Sequence, residues 1–146
     1  MPGERLMPSP QEWSAEEAVA RLTHTDKHVR LEAAGALAAL GKRAKPAVPA
    51  LIEALGDAEA PVRKMAALAL GDVGRRARQA VPALIRVLKD GDENVCRRAA
   101  IALGEIGDED GAAEALRAAT EDPHPAVRRA ALAALHALTD ELAQSA

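Results

Sequence analysis

Apolar residues recur along the chain with the period of an α-helix. Val62, Ala66, Leu70 and Val73 fall at i, i+4, i+8 and i+11, which places their side chains in one stripe on a helix. The same pattern occurs four times, at intervals of 33, 33 and 32 residues. Its copies begin at Val29, Val62, Val95 and Val127. A period of this length predicts a repeat protein whose stacked units bury one continuous core.

A second apolar segment precedes each of these and completes a two-helix unit, whose helices we call A and B. This segment begins at Ser14, Ala47, Ala80 and Ala112. Ser14 and Glu17 have the spacing of a capping box, and Gly41, Gly74 and Gly107 stand where each B helix should end. The pattern predicts helices near residues 14–23, 27–40, 47–55, 61–73, 80–88, 94–106, 111–119 and 125–139.

Composition narrows the fold class. Alanine and leucine dominate, whereas the chain has no Phe, no Tyr and a single Trp, Trp13, which is expected to seal one end of the core. We expect an all-α protein, an α-solenoid of four helical hairpins in a right-handed superhelix. A single domain would cover residues 12–139, with repeats at 12–41, 46–74, 79–107 and 111–139. A flexible N-terminal segment (1–11) and a C-terminal tail (140–146) would flank it.

The repeats resemble those of the HEAT family, in particular its bacterial group with phycobilisome-lyase-type repeats. The resemblance is carried by GDAEAPVRKMAALALGDVG at 56–74 and PAVPALIEAL at 46–55, and it covers nearly the whole chain. It is specific for the fold and poor for function, because solenoids serve many roles. It implies a binding scaffold, although some HEAT-like proteins are bilin lyases or alkylpurine DNA glycosylases.

The family resemblance also implies a structural ladder of Asp and Arg residues. Two pairs match it, Asp57 with Arg63 and Asp122 with Arg128. The guanidinium is expected to reach the loop carboxylate or the loop carbonyls. His24 stands where an Asp is expected, and Cys96 stands where an Arg is expected, with Arg97 as a candidate substitute. We therefore predict that the third junction between repeats is the weaker one.

Few residues suggest catalysis or metal binding. His24 and His28 lie four apart with Asp26 between them, but the segment is expected to be a solvated loop without a third ligand. Cys96 lies near a helix N-terminus and precedes two arginines, which favours a lowered thiol pKa. Alternatively, it is a small apolar side chain that fills the space of the missing arginine. We predict no catalytic residue, no metal and no cofactor.

The outward side of the B helices is the candidate working surface, because in HEAT-like repeats the second helix usually lines the concave side. The helical wheel places there Lys64, Met65, Leu68, Arg97, Arg98, Ile101 and Arg129. Apolar side chains framed by cations are typical of a partner site, although they could instead pack against the adjacent repeat. Copy one has Leu31, Glu32 and Gly35 at equivalent places, and His136 of copy four is expected to face solvent.

The loops at the two ends of the helices differ in charge. Those between repeats form a basic edge, with Lys42, Arg43, Lys45, Arg75, Arg76 and Arg78. Those inside repeats are acidic, with Asp57, Glu59, Asp90, Asp92, Glu93, Glu121 and Asp122. Asp108, Glu109 and Asp110 reverse the sign at the third turn between repeats. Such charges either solvate the loops or steer a partner.

Together these features favour a non-enzymatic scaffold or adaptor that binds an acidic or amphipathic protein segment. The alternative is a nucleic-acid or phosphate-containing partner on the basic edge, which the net charge of −3 and the lack of stacking aromatics disfavour. A lyase-like or glycosylase-like enzyme is more distant. The N-terminus lacks the apolar run of a signal peptide and no stretch is long enough for a membrane span, so we expect a cytoplasmic protein. The family resemblance implies a bacterial protein, and we expect a monomer.

Overall fold

In the computed structural model, residues 8–107 and 111–145 are described, and they form an all-α solenoid. Its α-helices are α1 (Ala15–Arg21), α2 (Lys27–Leu40), α3 (Val48–Ala54), α4 (Ala60–Val73), α5 (Val81–Val87), α6 (Glu93–Ile106), α7 (Ala112–Ala119) and α8 (Pro125–Ser145). The odd-numbered helices are the A helices, and the even-numbered helices are the longer B helices. The predicted fold class is confirmed, and most predicted bounds lie within two residues of the observed ones.

Two of the turns between repeats are 3₁₀ helices, Gly41–Ala47 and Gly74–Ala80. The preceding B helix ends because Gly41 and Gly74 take positive φ angles of 57° and 77°, which other residues rarely adopt. Alanines then fix each turn to the core: Ala44, Ala47, Ala77 and Ala80 are all 0% exposed. The remaining positions of the turns point outward.

The B helices pack closely because small residues meet between them. A Cβ added at Gly71 would lie 3.1 Å from Ala102 Cα, and one added at Gly104 would lie 2.9 Å from Ala134 Cα. The A helices contact each other far less, and a cleft of about 500 Å³ lies between α5 and α7. The layer of B helices is therefore tight, and the layer of A helices is splayed.

Leucines of the B helices occupy the centre of the core, with Leu37, Leu70 and Leu103 each 0% exposed. Trp13 is buried at the first end of the stack and donates from Nε1 to the Pro8 carbonyl at 2.9 Å. The Arg21 guanidinium lies 4.5 Å from its ring centroid. Trp13 therefore belongs to the core and covers its end, as predicted.

The two ends of the chain differ from the prediction. Helix α8 continues to Ser145, through most of the predicted C-terminal tail. A short 3₁₀ helix, Pro10–Glu12, begins inside the N-terminal segment 1–11 and ends one residue beyond it. Residues 1–7 and 146 lie outside the described residues, as do Asp108, Glu109 and Asp110, for which a reversal of edge charge was predicted.

Candidate partner-binding face

The ladder arginines join consecutive repeats. Arg30 Nε donates to Asp57 Oδ2 at 2.8 Å, and Arg63 Nε donates to Asp90 Oδ2 at 2.7 Å. In each pair a second nitrogen donates to the other carboxylate oxygen, so the contact is bidentate. Bidentate guanidinium–carboxylate pairs combine charge with fixed geometry. Each pair therefore clamps one repeat to the next.

The same guanidinium groups also close their own loops. Arg63 Nη1 donates to the carbonyl oxygens of Asp57 and Ala58, at 2.8 and 3.2 Å. Arg128 Nη1 makes the equivalent bonds to Asp122 and Pro123. Of the two contacts expected for Arg63, the one with the loop carbonyls is present, whereas the Asp57 carboxylate accepts from Arg30 of the preceding repeat instead.

These bonds hold the ladder carboxylates ionised. Burial raises the pKa of Asp57, but the hydrogen bond from Arg30 and the one from the Glu59 backbone N–H outweigh it and leave the pKa below its ordinary value. The pKa of Asp90 is lowered in the same way, by Arg63 and by the Asp92 backbone N–H against the effect of burial. Both pairs therefore stabilise the stack at neutral pH.

The third junction lacks this clamp. Cys96 occupies the ladder position of α6, is 3% exposed, and contacts the Asp90 carbonyl oxygen through Sγ at 3.0 Å. Asp122 instead contacts His124 Nδ1 at 3.0 Å, within its own loop. Arg97 does not take over the ladder role, since it has no ion pair with any described residue. Cys96 thus fills the inner part of the arginine's space and replaces only its bond to the loop.

A reactive Cys96 is not supported by its surroundings. Burial raises the pKa of its thiol, and the charges of Asp122 and Asp90 raise it further. The sequence favoured a lowered pKa because of the helix N-terminus and the following arginines, but burial and the two carboxylates dominate.

The loop histidines have structural contacts. His24 Nδ1 accepts from the Asp26 backbone N–H at 3.0 Å, as the Asp57 carboxylate accepts from the Glu59 N–H at 2.9 Å. His24 therefore substitutes for the loop function of the aspartate, in the first repeat. Within the described part of the chain, no group of three or more His, Cys, Asp or Glu residues is arranged to hold a metal ion.

The next position along each B helix carries a second row of cations, which we call the groove row. It consists of Lys64, Arg97 and Arg129, each one residue after a ladder position. Lys64 and Arg97 are half-buried and Arg129 is exposed. None of the three has an ion pair or side-chain hydrogen bond with another described residue. A step of about 100° around the helix therefore separates paired arginines from unpaired cations.

Two arginines of this face hold buried donors without acceptors. The Nε atoms of Arg97 and Arg98 are shielded from solvent and have no hydrogen-bond partner among the described residues. A buried N–H without an acceptor costs free energy, which an anion near the guanidinium would offset. The Glu105 residue is exposed, but its carboxylate end lies against Gly71 of α4, and this partial burial, followed by the charge of Asp72, raises its pKa. The attraction of Arg98 partly counters that rise.

The apolar members of the face fall into two kinds. Met65 is half-buried and packs against the core, and its Cε lies 3.6 Å from a Cβ built at Gly35. Leu68 and Ile101 are half-buried but are not among the partly buried side chains that pack against the core. Leu31 is half-buried, and His136 is exposed, as expected. The wheel therefore overstated the exposure, because most of these side chains are half-buried.

Two carboxylates complete the face, Asp72 and Glu105, and the helical wheel also places them at exposed positions. Both are exposed in the structure, at equivalent places eight residues after Lys64 and Arg97. The face thus has a basic row, a middle strip with Leu68 and Ile101, and an acidic row near the ends of α4 and α6.

The two edges are less symmetrical than the sequence suggested. All six cations of the basic edge are exposed on the 3₁₀ turns. On the acidic side, Asp57 and Asp90 are half-buried in the ladder, and Asp92 caps α6 by accepting from the Asn94 backbone N–H at 2.8 Å. Part of the acidic edge is therefore neutralised, whereas the basic edge remains open to solvent.

Among the described residues, no helix combines the length and apolar character needed to cross a bilayer.

Comparison with solved structures supports the repeat architecture. A complex of CpcE and CpcF of phycocyanin lyase from Nostoc sp. PCC7120 matches with 29% identity and a TM-score of 0.62, over 96% of this chain and 69% of that one. An engineered protein matches with 27% identity and a TM-score of 0.69, over 86% of this chain and 62% of its own. A designed armadillo repeat protein, solved with the peptide (KR)4, has 24% identity and a TM-score of 0.73, over 85% of this chain and 64% of its own.

The chain thus spans 62% and 64% of the length of two of these three structures. No curated protein matches its sequence. The family model for HEAT repeats matches residues 48–136, and the model for the PBS lyase HEAT-like repeat matches residues 29–57. The ladder, the hairpin stack and these matches agree, and the chain belongs to the HEAT-repeat family.

Proposed function

We propose that this protein is a non-enzymatic adaptor that holds an acidic, amphipathic segment of a partner protein against its B helices. The observation that carries the proposal is the groove row, Lys64, Arg97 and Arg129, whose cations lack carboxylate partners among the described residues. Leu68 and Ile101 lie beside it and offer apolar contact. Such a combination of unpaired charge and apolar surface suits a protein segment.

The spacing of the row suggests how the partner would fit. Packed helices lie about 8–10 Å apart, so the row offers one cation at roughly that interval. An extended chain advances about 3.3 Å per residue, so a carboxylate at every third residue would meet successive cations. The acidic row of Asp72 and Glu105 would repel carboxylates on the other side, which gives the segment one preferred lateral position.

A protein partner is also supported by the comparison with phycocyanin lyase. The matched structure is a complex of two chains, CpcE and CpcF, and its similarity to this chain extends over 96% of the sequence. The adaptor role relies on that neighbour only for its association with another polypeptide.

A lyase-type role is a second candidate, favoured by that same similarity and by the match of residues 29–57 to the PBS lyase HEAT-like repeat. The one cysteine, Cys96, is buried with a raised pKa, which opposes its use as a nucleophile. A lyase that handles a chromophore would carry visible absorption after purification from its native source. Absorption that co-purifies with the protein in stoichiometric amount would favour the lyase over the adaptor.

Binding of defined peptides tests the adaptor role directly. The probe is a fluorescein-labelled peptide of about 12 residues that repeats Glu-Leu-Ser, so that carboxylates fall at every third position. The control peptide repeats Lys-Leu-Ser. We expect saturable anisotropy with the acidic probe, and at least about tenfold weaker binding to the Lys64→Glu/Arg97→Glu variant, which corresponds to 1.4 kcal/mol or more.

The matched control is Arg86→Glu/Arg117→Glu, which changes the net charge equally but alters exposed residues of α5 and α7. It should bind the acidic probe nearly as well as the wild type, apart from a small long-range effect of charge. Equal loss in both double variants would show that only net charge matters. Preference for the basic peptide would assign the face to Asp72 and Glu105 instead.

A further inference from the structure

The basic edge is a second charged surface, distinct from the groove row. Its cations occupy equivalent places in two successive turns, the first, second and fourth residues after Gly41 and after Gly74. The alanines between them are buried at 0% exposure, which holds the turns against the core. The edge thus presents two triads of cations, one repeat apart, on a fixed frame.

Most of these charges have no internal partner. Five cations make no ion pair or side-chain hydrogen bond with a described residue: Lys42, Arg43, Lys45, Arg76 and Arg78. Arg75 is not counted with them because it has an interaction of its own. The sequence carries Asp108, Glu109 and Asp110 at the third turn, so the inference concerns the first two turns only.

The protein's net charge is −3, but the electrostatic potential at this edge is determined by the nearby cations rather than by the net charge. The acidic loops lie at the opposite ends of α2, α4 and α6, which have 14 residues each. At about 1.5 Å per residue that separation is roughly 21 Å, and the Debye length at physiological ionic strength is about 8 Å. Two of those carboxylates, Asp57 and Asp90, are moreover neutralised by the ladder.

We propose that the basic edge binds the phosphate backbone of nucleic acid, without reading its sequence. Arginine supplies three of the five unpaired cations, and its planar fork suits phosphate oxygens. The two triads follow the axis of the stack, as a linear polyanion requires.

The residues around the cations argue against a protein core or a lipid surface as the partner of this edge. The other exposed residues in and just after the two turns are Pro46, Pro49, Gln79 and Pro82, and none of them is a large apolar side chain. Among the described residues the exposed large hydrophobic side chain is Leu132, on α8. The edge therefore lacks the apolar contacts that an interface with a protein core or insertion into a lipid surface would use.

Salt dependence gives this proposal a quantitative test. Five cations that each neutralise one phosphate predict a slope of about −4.5 for log K against log salt. Affinity for a labelled DNA duplex of about 20 base pairs should then fall about 500-fold between 50 and 200 mM salt. The Arg43→Gln/Arg78→Gln variant, with three cations left, should show a slope of about −2.7 and a fall of roughly 40-fold.

The matched control is Arg86→Gln/Arg117→Gln, which loses the same charge from α5 and α7 and should keep the wild-type slope. Thermal unfolding of each variant confirms that it is folded. Lack of saturable binding at 50 mM salt, or equal slopes for the edge variant and the wild type, would overturn the proposal. So would tighter binding, at equal salt, to polyglutamate or to vesicles with phosphatidylserine, since either outcome assigns the edge to a different class of partner.

Discussion

Two neighbouring positions on the same B helix both carry positive charges, but one charge is paired within the protein and the other is not. Arg63 is a ladder residue, held by the Asp90 carboxylate and two loop carbonyls, and its side chain is 19% exposed. Lys64, the next residue, has no ion pair with a described residue. The same contrast separates Arg128 from Arg129. A positive charge on this solenoid is therefore structural or available for binding according to one step around the helix.

The contrast has a physical origin in the directions that the two positions take around the helix. The ladder position faces the loop that joins the A and B helices, where carbonyls and the next repeat's carboxylate converge. The groove-row position faces away from that loop, and the nearest carboxylates on the same helices, Asp72 and Glu105, lie two turns away. This face consequently keeps unpaired cations beside Leu68 and Ile101.

The largest expected effect comes from removing a ladder arginine. Arg63→Met leaves Asp90 half-buried without its cation, and we expect the free energy of unfolding to fall by about 2 kcal/mol, less than for a fully buried pair. Lys64→Met should change it by less than about 0.5 kcal/mol, because the cation it removes is unpaired. Urea denaturation of the two variants measures the difference. Equal losses in the free energy of unfolding would contradict the distinction between the ladder and the groove row.

Acid titration checks the origin of that loss. The folded-state pKa values of Asp57 and Asp90 lie below the ordinary 3.8, so their stabilisation is present above that pH and is lost as the pH falls through the folded values. In Arg63→Met the contribution of Asp90 should be much reduced. The stability of the variant should therefore decline less steeply in this acid range than that of the wild type.

A smaller effect is expected where the B helices touch. In Gly104→Ala the new Cβ would lie 2.9 Å from Ala134 Cα, a backbone atom that cannot move aside alone. An overpacking cost of about 2 kcal/mol outweighs the helix-propensity gain of about 1 kcal/mol, for a net loss of about 1 kcal/mol. Gly35→Ala meets only the flexible end of Met65, at 3.6 Å, and should gain stability. A gain in both variants would mean that the layer is looser than described.

Restoring the ladder at the third junction should raise the free energy of unfolding rather than lower it. Cys96→Arg places a guanidinium where Arg63 lies in the preceding repeat, within reach of Asp122, and we expect a gain of about 0.5–1 kcal/mol. Cys96→Ala, which removes the thiol without adding a charge, should not gain. Native-state hydrogen exchange should also show the third junction opening before the others in the wild type. Greatest protection in the third repeat would contradict the prediction.

The smallest effect concerns Glu105, whose pKa is raised by burial and then by Asp72. A carboxyl with a raised folded-state pKa destabilises the fold once it ionises, so its cost appears as the pH rises above 4.5, its ordinary pKa. Glu105→Gln should therefore raise the unfolding temperature slightly at pH 7 and hardly at all at pH 4. A variant that loses stability at pH 7 would show that the attraction of Arg98 dominates instead.

The sequence predicted the hairpins well because each boundary has a local cause. Val62 begins a stripe that Gly74 ends, and both the 3.6-residue period and the positive φ of the glycine are properties of one segment. The predicted end of α8 at residue 139 was wrong, because 140–145 contain no such stop signal and the helix continues to Ser145.

A helical wheel does not predict contacts between repeats. Arg30 and Asp57 are 27 residues apart, so their pairing depends on how two hairpins stack, and the wheel treats each helix alone. The partial burial of Met65 over Gly35 has the same cause. The pKa of Cys96 was mistaken because Asp90 and Asp122 approach it from two different loops.

Side-chain NMR of the arginines tests the distinction between the two rows most directly. In the free protein, the Nε–H signals of Arg30 and Arg63 should exchange slowly, because carboxylates accept from them. Titration with the Glu-Leu-Ser peptide should shift the Nε–H signals of Arg97 and Arg98, whose donors lack acceptors among the described residues, and leave the ladder signals in place. Unmoved Arg97 and Arg98 signals at saturating peptide, or shifts confined to Arg30 and Arg63, would contradict the assignment of the groove row as the binding surface.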